Sequence, residues 1–197
     1  MHKDCTMTEI RELIVRPAVE ADLEPMCIIR RCPLVQKNQY WIEEASWLML
    51  CEQVIQAKEP GGTRIDVLEV TGEVVGYVIT RCQVRKKSRF GYFSFNLLPE
   101  FWGRGLMERE LRTILTEFFQ DERSEGATIE CFSGNKQCRR LMQRLSFTPV
   151  PIPILERLFC LITRLPIRWM MRFWLSKESW SRCASLSIDT RTAQNTG

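Results

Sequence analysis

Residues 90–119 constrain the fold of this 197-residue chain more than any other stretch. Phe90 to Leu98 is an aromatic-rich run with the length and composition of a strand, and its large side chains on both faces predict burial on both sides. Pro99 and Trp102-Gly103-Arg104-Gly105 follow, and then Leu111, Ile114, Leu115 and Phe118 recur at helical spacing, which predicts a helix from about Gly105 to Phe119. A strand that enters a helix through a tight Gly-x-Gly turn leaves the first helical amides without intrahelical partners, at the positive end of the helix dipole. Glycine lets the main chain approach an anion with no Cβ in the way, and Arg104 adds a nearby positive charge. Such a terminus suits a pyrophosphate.

The flanking sequence builds one mixed α/β (α+β) domain around this turn. Leu13 to Arg16 reads as an opening strand, and Pro17 with Glu20 to Leu23 starts a helix that ends near Arg31, before Pro33. A second helix spans about Trp41 to Ala57 and stops at Pro60-Gly61-Gly62. Arg64 to Val70 and Val74 to Cys82 form a hairpin about Thr71-Gly72-Glu73, and the aromatic strand follows as the third of a meander. Beyond the central helix come a strand at Ala127 to Phe132, a helix at Gln137 to Leu145, extended structure at Phe147 to Val150 and a last strand near Trp169 to Leu175. Residues 1–180 are expected to form a single domain, and 181–197 a polar, flexible tail.

Composition narrows the chemistry. The only histidine is His2, which removes Ser-His-Asp, Cys-His and HExxH catalysis. Nine cysteines form no CxxC pair and no repeated spacing, so neither a metal site nor a disulfide framework is expected, and their apolar neighbours suggest a reducing, cytoplasmic compartment. A formal charge of +4 gives no case for nucleic-acid binding but suits a pocket for an anionic ligand. Ile152 to Leu175 is broken by charges and prolines, so no integral membrane segment is expected.

Pro99-Glu100-Phe101-Trp102-Gly103-Arg104-Gly105 resembles the Pro-Glu-Tyr-Trp-Gly-Lys-Gly phrase of the GNAT superfamily of N-acetyltransferases, in the branch that modifies ribosomal-protein N-termini. A second family phrase, an Asn opening a helix that closes with Leu-Gly-Phe, is matched by Asn135, Leu141, Leu145 and Phe147. The chain's ends, Val15-Arg16-Pro17 and Leu175 to Trp180, also resemble the family's, so the likeness covers about residues 13–180.

The resemblance implies a mostly antiparallel mixed sheet, flanked by helices, whose central strands splay apart to receive the pantetheine arm of acetyl-CoA. Main chain at Phe95, Asn96 and Leu97 would pair with the pantetheine amides, and main chain from Gly103 through Arg104, Gly105, Leu106, Met107 and Glu108 would cradle the pyrophosphate. A main-chain N–H at Leu97 or Leu98 would face the thioester oxygen, and Arg139 the ribose phosphate. Asn135 either fixes the arm through its carboxamide or simply caps its helix. Glu130 is a candidate base acting through water, unless strand phase turns it outward, and Cys138 is a candidate weak proton donor or a small buried residue.

Three departures stand out: Met107 where the family has Gly or Ala, Met142 where relatives often carry a Tyr that protonates the departing thiolate, and Ser146 in the Leu-Gly-Phe phrase. The expected activity is acetyl transfer from acetyl-CoA to a primary amine, a protein N-terminus or a small molecule. Met107 and Met142 motivate an alternative, a non-catalytic acyl-CoA-binding regulatory module. The acceptor surface is expected from about Arg31 to Tyr40 and from Pro151 to Pro166, with a homodimer contact or a membrane surface as the alternative roles of the second stretch.

Overall fold

The computed structural model describes residues 13–38, 44–56, 62–153 and 170–184. Strand β1 (Leu13–Pro17) leads through a 3-10 turn into α1 (Leu23–Arg31) and the short α2 (Pro33–Gln36). Helix α3 (Glu44–Gln56) precedes a meander of β2 (Thr63–Val70), β3 (Glu73–Arg85) and β4 (Ser88–Leu97). A second 3-10 turn, Pro99–Phe101, leads to α4 (Leu106–Gln120), β5 (Ser124–Phe132), α5 (Lys136–Arg144), β6 (Thr148–Val150) and β7 (Met170–Ser176). Residues 177–184 form a last helix, α6. The seven strands form one sheet in the order β1-β2-β3-β4-β5-β7-β6, antiparallel at every junction except β4–β5. This is the mixed, mostly antiparallel α/β architecture expected from the sequence.

Strand alternation sorts the core into two layers. On one face Leu68, Val78, Phe93, Leu97, Ala127, Ile129, Phe173 and Leu175 pack with Leu111, Ile114, Leu115 and Phe118 of α4 and with Leu141 and Met142 of α5. On the other, Ile65, Val67, Tyr77 and Ile79 meet Met26, Ile29, Trp47 and Cys51 of α1 and α3. The apolar stripe of α4 therefore buries against the strands that bracket its own connection, which fixes where the helix begins.

Several elements depart from the sequence reading. Strand β4 is not buried on both faces: Gly91, Phe93 and Leu97 are buried, Ser94 is exposed, and Tyr92, Phe95 and Asn96 lie between. Its second face is only partly covered, because the helices of that layer lie mainly over β2 and β3. Strand β5 starts at Ser124, three residues before Ala127, because the parallel ladder to β4 already engages Ser124 opposite Arg89. Pro33 does not merely end α1 but occupies the first position of α2, where its missing N–H costs nothing. Residues 181–184 are helical instead of belonging to a loose tail, with Trp180 buried in the core and Ala184 packed against it.

The Leu145-Ser146-Phe147 phrase is a complete helix stop. The Phe147 amide donates to the Met142 carbonyl (2.9 Å) and the Ser146 amide to Gln143 (3.1 Å), the paired bonds of a Schellman motif. Ser146 takes the left-handed conformation (φ 62°) that glycine adopts more cheaply.

Candidate active site

The parallel ladder between β4 and β5 ends at the pair Phe93 and Ile129. Strand β4 continues to Leu97 and β5 to Phe132, so residues 94–97 and 130–132 diverge with no ladder between them. The gap opens beside the start of α4. There Gly103 and Gly105 both have φ 75°, and a Cβ at either would meet nothing within 4 Å. The first α4 backbone bond runs from the Arg109 amide to the Gly105 carbonyl (3.0 Å), which leaves the amides of Leu106, Met107 and Glu108 without helical partners.

The side chains of this segment leave that concave backbone clear. Met107 and Leu106 are buried in the α4 core, so the methionine points away from the free amides. Glu108 would place negative charge near an incoming anion, but Arg144 Nε (2.6 Å) and Arg112 (3.0 Å) donate to its carboxylate and hold it below the ordinary glutamate range, against the opposing effect of burial. These bonds also tie the first turn of α4 to the end of α5. Arg104 is exposed and lies over the Phe101 ring at 5.5 Å.

Main-chain direction separates the β4 residues named from sequence. The Leu98 amide donates to Val75 O (2.9 Å), so it is engaged by β3 and is not a free donor for a thioester oxygen. By strand alternation the Asn96 main chain also faces β3, while Phe95 and Leu97 face the gap. The Asn96 carboxamide donates to Tyr77 Oη (2.7 Å). A feature not read from the sequence closes the upper edge of the gap: Trp102 Nε1 donates to the Leu97 carbonyl (2.7 Å). The signal was an indole beside a strand end, since a partly buried indole N–H seeks an acceptor.

On the far side, Asn135 caps α5, its Oδ1 accepting from the Cys138 amide (3.0 Å). Replacement by alanine is expected to cost about 1 kcal/mol in chemical denaturation, whereas aspartate, which also caps, should preserve stability. If the carboxamide nitrogen also serves a ligand, Asn135→Asp will lower acetyl-CoA affinity without lowering stability; equal affinity would leave the residue a cap alone. Arg139 donates to the Ser133 carbonyl (3.2 Å) and so braces the turn between β5 and α5.

Glu130 sits just beyond the last β4–β5 pair and projects to the sheet face opposite α4 and α5. It is ion-paired at 2.6 Å with Arg172 across the β5–β7 ladder, a partner that sequence reading missed. Cys138 is buried with Met142 in the α4–α5 layer. The neighbouring Cys131 thiol, and then burial, push its own thiol far up, so this environment does not favour the proton-donor role suggested from sequence. Met142 is fully buried and offers no proton. Among the described residues no cluster of three metal-ligating side chains is found.

A sheet that parts beside an unpartnered helix start defines a class of fold able to seat an elongated, anionic ligand between its strands. A family model for the acetyltransferase (GNAT) domain matches residues 12–148, and the chain belongs to the GNAT acetyltransferase family. Similar solved structures include the ribosomal-protein-S5-alanine acetyltransferase of Vibrio fischeri, with TM-score 0.68 and 14% identity over 88% of this chain and 97% of that one. A ribosomal L7/L12 alpha-N-protein acetyltransferase, held in complex with coenzyme A through a cysteine disulfide, has TM-score 0.64 and 15% identity over 84% and 94% of the two chains. An aminoglycoside N(6')-acetyltransferase from Legionella pneumophila has TM-score 0.64 and 12% identity over 89% and 98%. At these identities the likeness is one of fold, and the neighbours include the branch that the sequence resembles. No curated protein matches the sequence.

Proposed function

We propose that the chain transfers acetyl from acetyl-CoA to a primary amine, on a protein N-terminus or a small molecule, by direct attack of the amine on the thioester. The observation that carries this reading is the divergence of β4 and β5 after Phe93 and Ile129, next to three free amides. In this reading the pyrophosphate rests on main chain from Gly103 to Glu108, with Arg104 nearby. The pantetheine arm passes between the strands, along the Phe95 and Leu97 main chain, with Asn135 and Arg139 bordering the other side. The Leu97 N–H, not that of Leu98, is the donor for the thioester oxygen.

The amine approaches from the opposite sheet face, where Glu130 projects and accepts its proton through water. The departing thiolate is protonated by solvent. Thiols ionise near pH ~8.5, so a side-chain acid is dispensable for this step. Of the surfaces expected to shape the acceptor pocket or a homodimer contact, about 31–40 and 151–166, residues 39–40 and 154–166 lie outside the described residues. No described helix is long and apolar enough to cross a membrane, and a cytoplasmic site of action remains part of the proposed reading.

The buried Met142 favours one second reading, acyl-CoA binding without turnover. Incubation with acetyl-CoA and a panel of peptides and amines, read as release of free coenzyme thiol, separates the two. Amine-dependent thiol release is the expected result; tight acetyl-CoA binding without release for any acceptor leaves the binding module standing.

A further inference from the structure

Leu97 is the last residue of β4, and its main chain is held from two directions. The Leu98 amide donates to the Val75 carbonyl on β3 (2.9 Å), and the Leu97 carbonyl accepts from Trp102 Nε1 (2.7 Å). Those two groups belong to one peptide unit, so β3 and the indole grip it at opposite ends. One residue earlier, the Asn96 carboxamide is tied to Tyr77 of β3. Gly76, opposite Leu97 in the ladder, lets the two strands close, since a Cβ there would stand 2.8 Å from the Asn96 carbonyl oxygen. The indole is fixed in turn. Trp102 packs against the α4 core, and the 3-10 turn that returns it is closed by bonds from the Phe101 amide to Leu98 (3.0 Å) and from the Trp102 amide to Pro99 (3.1 Å).

In an extended strand the N–H and C=O of one residue point to the same edge. Leu97 therefore turns both toward the gap, and the two act on charge in opposite ways. An N–H stabilises an oxyanion that forms beside it, whereas a bare carbonyl oxygen on the same edge repels it. Trp102 removes that conflict, because its indole N–H sets a positive end against the carbonyl oxygen. Gly103 follows directly in the chain, so the same residue also sets the spacing between the phosphate-binding turn and Leu97.

We propose that Trp102 is a positioning residue for acetyl transfer: its indole N–H occupies the Leu97 carbonyl and fixes that peptide, so that the Leu97 N–H meets the thioester oxygen. This role rests on the acetyl-transfer reading above. Trp102 itself touches neither the acetyl group nor the amine and acts through the main chain of Leu97. The oxyanion carries more charge than the ground-state carbonyl, so the contribution appears in turnover more than in acetyl-CoA binding.

The test uses the full-length protein and two variants. Trp102→Phe keeps an aromatic ring against the core and loses the N–H. Benzothienylalanine, placed at position 102 by codon suppression, keeps the whole bicyclic shape with sulfur where the N–H was, and so reports even where phenylalanine disturbs the fold. The measurements are acetyl-CoA affinity by calorimetry, kcat and KM with an amine that supports thiol release, and the NMR shift of the isotopically labelled acetyl carbonyl in the bound thioester. Both variants are expected to lower kcat by about tenfold or more while acetyl-CoA affinity stays within about threefold, and to move the bound carbonyl resonance upfield of its wild-type position. An unmoved resonance in the folded isostere, or an equal fall in kcat and acetyl-CoA affinity, overturns the positioning role. If the wild type binds acetyl-CoA but releases no thiol with any amine, the transfer reading fails and the resonance still decides whether Trp102 directs the amide. A wild type that does not bind acetyl-CoA ends both.

Discussion

Gly105→Glu is expected to weaken acetyl-CoA binding by about 100-fold or more, equivalent to about 2.7 kcal/mol, in a protein that remains folded. Gly105 holds φ 75° and ψ 0° immediately before the free amides of Leu106, Met107 and Glu108. A side chain there meets no neighbour within 4 Å, so the fold loses only the strain of a left-handed non-glycine residue, about 1–2 kcal/mol. The added carboxylate, however, stands where the pyrophosphate charge would rest, and it reverses the sign of the helix start. Gly105→Ala separates the two contributions: similar strain, but an affinity loss of less than about tenfold. Calorimetric titration of both variants, with a thermal melt to confirm folding, reads the difference. Wild-type affinity in a folded Gly105→Glu protein would remove the phosphate from this turn and, with it, the proposed binding mode.

The second large effect concerns stability. Glu110, on the next turn of the same helix, is 5% exposed. Burial, and then the charge of Asp66, push its pKa up to about 7; Arg64 opposes this and Glu117 adds to it. Asp66 itself is buried on β2 and bonded to Arg64 (2.7 Å), which also reaches Glu117 (3.1 Å). The folded protein therefore holds a proton on Glu110 between about pH 4.5 and 7 that the unfolded chain releases.

That contribution is complete below about pH 4.5 and is lost as pH rises through 7, amounting to about 3 kcal/mol once both states have ionised. Glu110→Gln removes the charge and keeps the shape. It should stabilise the protein at pH 8 by about 1–3 kcal/mol relative to wild type and give little advantage at pH 5. Denaturant titrations of both proteins at the two pH values test this. A constant difference between them would show that Glu110 does not carry the linkage.

Local chemistry made part of this legible in the sequence. The glycine pair, the apolar stripe of α4 and Asn135 at the start of α5 are written in short-range patterns, and each lies within a residue or so of its place in the fold. Tertiary partners decided the rest. Whether a β4 amide faces the gap or β3 depends on register, which assigned Leu98 to Val75 and left Leu97 the other way. The face taken by Glu130 was open until the ladder to β7 fixed its phase and paired it with Arg172. Met107 reads as an obstruction only if its direction is unknown; the helix phase that places it in the core follows from packing.

The one parallel junction has a mechanical consequence. The four strands before it and the three after it are two antiparallel ribbons, each stitched within itself, and they share a seam only five residue pairs long. Widening the mouth beyond that seam breaks no interstrand bond, so a guest inserted there displaces solvent and leaves the backbone ladders whole.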